Sequence, residues 1–454
     1  MSRPGGQMRR RGALLLAAID LWLVAAAASA TPPNIVLIVS DDHGYGDYGF
    51  MGSPIVSTPN LDALAAAGLT FTRGYTYPVC APSLASLLTG RHAHEHGITG
   101  NDLRLVTRPP PRAAERDRGR DALAARLLAN APLLPKELAQ AGYRSLQTGK
   151  LWSTNYREIG FTHGMTPERT RAGGPGLEIG RSGLEPIREF LDEEKAHEQP
   201  FFVWYAPYMP HRPHRPPARL IEKHTNIQPE RVAAYYAMVE WLDETIGELD
   251  TLLRERDLYE DTLVIYLADN GWAPDPSERS GTAARSKGAG YELGIRTPVL
   301  VRWPRELEPR RDEETLVSVV DVFPTVLSAA GLNVPAERPG RNVLDRSALE
   351  ARKGIELAVF TSAIHQLERP AESVRARVAI EGFWKLLVPG PRRSETGTAD
   401  PAGFELFDLR SDPGERNDRA GEEPAVVERL RQQLDGWWSI DTERVGDATA
   451  PAPD

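Results

Sequence analysis

The sequence predicts an α/β fold: a large domain built on a mostly parallel mixed sheet flanked by helices, followed by a smaller C-terminal α+β domain with an antiparallel sheet. Three observations carry this reading. Residues 34–39, 201–205, 263–267 and 298–301 are short, nearly uninterrupted apolar runs, as expected of strands buried on both faces. Helical patterns lie between them, the clearest over 230–255, where Val239, Leu242, Ile246, Leu249 and Leu253 recur at steps of three and four and form one apolar stripe for the sheet. After about residue 350 the texture changes to short strand-like pieces at 378–380, 384–388 and 404–409, and a final helix is expected over 425–438.

The chain has 454 residues, 41% of them hydrophobic, enough for two cores. Residues 1–30 read as a leader: Arg3, Arg9, Arg10 and Arg11 precede apolar runs at 13–19 and 21–28, and Ala28-Ser29-Ala30 precedes Thr31. Asp20 interrupts the apolar run, and a span needs about twenty unbroken apolar residues, so no stable membrane anchor is expected. The expectation is an exported protein, periplasmic or secreted. Domain limits are placed at 31–350 and 351–454. The net charge of −9 argues against a nucleic-acid partner. Residues 104–126, rich in arginine around Pro109-Pro110-Pro111, are expected to form an exposed excursion.

In a doubly wound fold, ligands bind beyond the carboxyl ends of the strands. Three predicted strands run straight into polar clusters: Ser40-Asp41-Asp42-His43, the segment 208–214, and Asp269-Asn270-Gly271, which are therefore expected to share one rim. Adjacent carboxylates repel unless a cation neutralises them. Asp41, Asp42, Asp269 and Asn270 offer only oxygen, which favours Ca²⁺ or Mg²⁺ over zinc. Cys80 is the only cysteine, which excludes an intrachain disulfide framework. His92, His94 and His96 alternate as if on a strand, but lack the partners of a zinc site. Pro82 suits a first helical turn, placing residue 80 at a helix N-terminus, where an anion is favoured.

The segment Cys80-Ala81-Pro82-Ser83-Leu84, followed by Leu88-Thr89-Gly90-Arg91, resembles the sulfatase signature, Cys-x-Pro-Ser-Arg and then Leu-Thr-Gly-Arg. Other segments match the family in order: 41–47, Thr58-Pro59-Asn60-Leu61-Asp62, Thr148-Gly149-Lys150, Asp269-Asn270-Gly271, 287–292 and 405–409. The resemblance implies a sulfatase catalytic domain over 31–350. It implies one Ca²⁺ held by Asp41, Asp42, Asp269 and Asn270, with Cys80 also touching the ion. Cys80 would be oxidised to formylglycine by a formylglycine-generating or other maturation enzyme. Lys150 and Lys287 would hold sulfate oxygens, and His211 would contact the substrate near the leaving group.

Cys80, Lys150, His211 and Lys287 are the implied catalytic residues, and Trp152 is a candidate stacking face for a sugar beside them. The implied substrate is a sulfated small molecule or glycan. Two positions depart from the family. Leu84 replaces the signature arginine, and Trp152 replaces the histidine of the Gly-Lys-Trp-His pattern. Alternatives are a phosphonate or phosphate ester hydrolase of the same superfamily, and a sulfated-glycan-binding relative without turnover.

Overall fold

A computed structural model describes residues 1–2, 32–103, 113–130, 132–278, 281–394 and 397–440. The expected leader therefore lies outside the described residues apart from Met1 and Ser2, as do Pro109, Pro110 and Pro111. Among the described residues no helix is long and apolar enough to cross a membrane.

The large sheet is assembled from β1 (Asn34–Ser40), β2 (Leu69–Tyr75), β3 (Arg144–Gly149), β4 (His163–Gly164), β5 (Phe201–Ala206), β6 (Thr262–Ala268), β7 (Arg296–Arg302), β8 (Arg310–Asp312) and β9 (Val317–Ser318). Its order is β9-β2-β7-β6-β1-β5-β3-β4, with β8 also pairing β2. Only β7 runs antiparallel, against both β2 and β6. The central strands have no polar face, because side-chain direction alternates and both faces are covered. Ile35, Leu37 and Val39 of β1 enter one core with Phe202, Trp204, Ile265 and Leu267. Val36 and Ile38 enter the other, with Val203, Tyr205, Val264 and Tyr266.

Four helices matter to the site: α1 (Cys80–Thr89), α2 (Ala113–Leu128), α3 (Glu230–Glu255) and α4 (Pro424–Trp437). The expected stripe on α3 places Leu242, Ile246, Leu249 and Leu253 in the second core, while Val239 joins a smaller cluster with Tyr235 and Trp272. The expectation of an exposed excursion over 104–126 is corrected where the chain is described. Residues from Ala113 form α2, whose Leu123 and Leu127 are buried in the first core. The helical period, hidden by the arginine content, lines these leucines up on one face.

A second sheet, order β10-β11-β12-β13, is fully antiparallel and comprises Gly354–Phe360, Val374–Glu381, Trp384–Pro389 and Glu405–Asp408. The amphipathic helix α4 covers it through Val426, Leu430 and Leu434. The described residues from Pro32 onward belong to one compact unit.

His92, His94 and His96 are not on a strand. A one-turn helix spans Ala93–His96, with His92 as its N-cap. His94 stacks on Trp438 at 4.4 Å, and His96 accepts the Ile98 amide at Nδ1 while its Nε2 meets the Ser86 hydroxyl at 3.1 Å. Burial holds His92 down at about 4 and His94 and His96 at about 3. An unfolded histidine titrates near about 6.5, so below that pH the unfolded chain binds protons that the folded chain refuses. Stability should therefore be fully present above about pH 6.5 and fall as the pH drops towards these folded values. Thermal denaturation against pH should show that decline, and His96→Gln should make its slope shallower than wild type; an unchanged slope would remove His96 from the account.

Candidate active site

Register brings the polar clusters together. β1 and β6 pair in parallel as far as Ser40 and Ala268, so Asp41 and Asp269 leave the sheet side by side. On the other flank β3 pairs β5 up to Gly149 and Ala206, and the Lys150 amide donates to the Ala206 carbonyl at 2.8 Å. Gly149 is required at this turn. Its φ is +75°, and a Cβ there would lie 1.9 Å from the Ala206 carbonyl oxygen. The chain thereby turns Lys150 inward, where Nζ lies 2.6 Å from Asp41 Oδ2 and 3.2 Å from Asp269 Oδ2.

Cys80 opens α1 after Val79 in extended backbone, and every residue of this helix is buried. Its Sγ lies 3.8 Å from Asp41 Oδ1 and 3.5 Å from Lys287 Nζ. Lys287 also donates to Asp42 Oδ1. Asp42 takes the left-handed region at φ 62°, a conformation that Asp tolerates better than most residues. Its amide faces Asp269 Oδ1 at 3.3 Å. Asn270 donates to Asp42 Oδ1 at 2.8 Å through Nδ2, which leaves its buried Oδ1 without a partner among the described residues. His211 sits 3.6 Å from Asp42 Oδ2 through Nε2, donates to the Arg212 carbonyl through Nδ1, and stacks on Tyr208 at 4.3 Å. The structure thus brings together Asp41, Asp42, Cys80, Lys150, His211, Asp269, Asn270 and Lys287.

Burial dominates the protonation equilibria here. It raises Asp41 despite Lys150, and with the help of the Asp41 charge it pushes Asp269 up to about 7. At Asp42 burial pulls the same way, but Lys287, His211 and Lys150 outweigh it and hold the carboxyl well below the usual range. Burial, then the Asp269 charge, pushes the Cys80 thiol up to about 12. Burial would lower both lysines, yet the surrounding carboxylates keep them charged well above the ordinary range. His211 is brought down to about 4 by burial.

Asp41, Asp42, Cys80 and Asp269 can direct one ligand atom each to within 4.8 Å of one another. Three carboxylates face two ammonium groups, so the centre carries uncompensated negative charge that a buried site tolerates poorly. With the unpartnered Asn270 oxygen, this donor set fits a hard divalent cation.

Leu84 and Trp152, the two departures from the family pattern, meet in one apolar wall with Ile98, Leu123 and Leu127. Trp152 is 7% exposed and its Nε1 donates to the Asn101 carbonyl, so little of the ring is open to a sugar. Asn101 in turn accepts the Ala81 amide at 3.1 Å, tying Trp152 to the start of α1.

Sequence reasoning missed the support from the second sheet. Lys385 of β12 is fully buried between Glu292, at 3.0 Å, and Glu415, at 2.8 Å, and Glu415 accepts the Glu292 amide at 2.6 Å. Arg375 of β11 donates to the Gly288 carbonyl at 2.6 Å. The segment carrying Lys287 is therefore clamped at both ends by the C-terminal sheet. Gly288 and Glu292 had a sequence signal, through their place in the 287–292 segment, whereas Arg375 and Lys385 had none.

Fold and centre first define a class: an α/β protein with a mostly parallel sheet and a buried acid–lysine centre at its strand ends. The chain belongs to the sulfatase family, whose model matches residues 33–332. A second family model, N-sulphoglucosamine sulphohydrolase, C-terminal, matches residues 286–438. The chain is similar to the N-acetylgalactosamine-6-sulfatase of Homo sapiens, at 29% identity over 68% of this chain and 65% of that protein. It is also 29% identical to the arylsulfatase A of Homo sapiens, over 97% of this chain and 94% of that protein. It spans 63% to 65% of the length of the dog, human and pig N-acetylgalactosamine-6-sulfatases.

Two solved structures share its fold. One is a sulfatase from Pseudoalteromonas sp., with a TM-score of 0.67, 20% identity and coverage of 92% of both chains. The other is a protein in complex with its substrate D-glucosamine-2-N,6-O-disulfate, with a TM-score of 0.66, 20% identity and coverage of 93% of this chain and 99% of that one.

Replacing Lys385 by Met would leave two buried carboxylates without their cation, a change that costs about 3–5 kcal/mol. Urea denaturation should show a loss of that size, and adding Glu415→Gln should recover part of it.

Proposed function

We infer that this chain hydrolyses sulfate esters of sulfated glycans, with Cys80 acting as formylglycine and Ca²⁺ bound by Asp41, Asp42, Asp269 and Asn270. The observation that carries the reading is the convergence of three carboxylates and two lysines on the buried N-terminus of α1. The likeness to an N-acetylgalactosamine-6-sulfatase, and to a protein in complex with a disulfated glucosamine as its substrate, supports a glycan. The phosphoester alternative fits less well, since a phosphate monoester is a dianion and asks for more cations than two lysines and one metal.

A cation held by Asp41, Asp42, Asp269 and Asn270 would supply Lewis-acid stabilisation of charge on the sulfuryl oxygens. An aldehyde hydrate at position 80 supplies the nucleophilic oxygen. A thiol held at about 12 is almost wholly protonated at neutral pH, which argues that Cys80 acts only after modification. Lys150 and Lys287 place fixed positive charge where the transferring group gains negative charge, and such prepositioned charge needs no reorganisation during reaction. Asp269, which can direct an oxygen to within 4.8 Å of the Cys80 side-chain atom, is placed to take a proton from the nucleophile.

His211 and Lys287 flank the position of the leaving oxygen. His211 is neutral at rest, with Nδ1 committed to the Arg212 carbonyl, so Lys287 is the flanking group that already holds its proton. No histidine follows Lys150 to assist sulfate release, because position 152 is an indole tied to Asn101. Export to the periplasm or beyond, and processing by a maturation enzyme that accepts Leu84, complete the proposal.

Protein made in its own host should show a loss of about 18 Da on the peptide containing residue 80, the cysteine-to-formylglycine difference, and an N-terminus at Thr31. It should turn over an aryl sulfate in preference to the matching aryl phosphate, and Cys80→Ala or Lys287→Ala should lower kcat at least about 100-fold. An unmodified thiol, or a preference for phosphate, would overturn this assignment.

A further inference from the structure

The mouth of the site holds a cation that the chemistry above does not use. Arg171 is 57% exposed, and its guanidinium lies 5.1 Å from the centroid of Trp152. Lys150 Nζ lies 5.8 Å from the same centroid and 5.5 Å from that of Tyr208. The buried lysine and the exposed arginine therefore both lie close to one indole, and the lysine is also close to the Tyr208 ring.

Asp102 fixes the arginine. It accepts from Nε at 2.9 Å and from Nη2 at 2.8 Å. This grip uses one edge of the guanidinium, through Nε and Nη2. A planar fork held on one edge keeps its remaining donors in a fixed direction, which suits recognition of a carboxylate or sulfate. The indole beneath favours the same orientation, since a guanidinium over an aromatic face is attracted to it.

We propose that Arg171 is a specificity residue that reads a second anionic group, a carboxylate or sulfate, on the sugar carrying the sulfate ester, so that the substrate is a polyanionic glycan. The inference rests on sulfate ester hydrolysis at Cys80 and adds to it. A neutral or singly charged leaving group would gain nothing from Arg171. Trp152 then acts as the support of the arginine and not as a platform for the sugar, which accounts for an indole that is buried yet adjacent to Lys150. Asp102→Asn would keep an oxygen acceptor for the guanidinium while removing the competing negative charge, so it should strengthen anion capture. If the pair merely braced the fold, removing either partner would act in the same direction.

The test compares 4-nitrophenyl sulfate, which carries one charge, with monosulfated and disulfated hexosamines as competitors. Against wild type the disulfated sugar should inhibit about tenfold more strongly than the monosulfated one, as one charge-assisted hydrogen bond allows. Arg171→Gln should abolish that preference while leaving kcat/KM for 4-nitrophenyl sulfate within about twofold, and Asp102→Asn should enlarge it. Equal losses with all ligands, or a preference that survives Arg171→Gln, would overturn the inference. If wild type did not turn over 4-nitrophenyl sulfate at all, sulfate hydrolysis would fail first. Calorimetric binding of the disulfated sugar to wild type and to Arg171→Gln would still decide the subsite.

Discussion

The centre depends on one electrostatic balance. Asp41, Asp42 and Asp269 are brought within a few ångströms of one another in a buried place, where each carboxylate raises the cost of ionising the next. Lys150 and Lys287 offset part of that repulsion, and the remaining negative charge and the unpartnered Asn270 oxygen ask for a cation. The same imbalance would destabilise an ordinary core, and it marks this cluster as a candidate cation site. Cys80 lies among these charges but is itself buried, at 1% exposure, so its thiol is held in the protonated form.

Keeping two lysines in place against mutual repulsion needs support from outside the rim. Lys150 is held by the Gly149 turn at the end of β3, a purely local device of the large sheet. Lys287 has no strand behind it. Its segment is anchored by Gly288 to Pro78 next to α1, by Gly288 to Arg375, and by Glu292 to Lys385 and Glu415. The C-terminal sheet is thus part of the site's mechanical frame, and its own core beneath α4 bears indirectly on the chemistry.

The two positions that depart from the sulfatase pattern form a single physical feature. Leu84 and Trp152 share an apolar wall whose other residues, Leu123 and Leu127, come from the arginine-rich helix α2. An arginine at position 84 would point into that wall without a carboxylate to meet it, and a buried unpaired charge is costly. Arg171, largely exposed, lies 5.1 Å from the centroid of the same indole.

Periodicity and order in the sequence determined much of this. The limits of α3, the central strands and the placement of Cys80 at a helix start follow from local patterns, because helix and strand periods and the geometry of Pro82 act over a few residues. The residues of the centre were legible as motifs in a fixed order. Tertiary structure alone decided their partners: that His211 faces Asp42, that Lys385 braces the Lys287 segment, that Leu84 meets Trp152, and that Arg171 covers the indole. It also overturned the reading of the arginine-rich segment, whose leucines count only when a helix aligns them. These contacts join residues far apart in the chain, and they are set by strand register and packing, which no local period encodes.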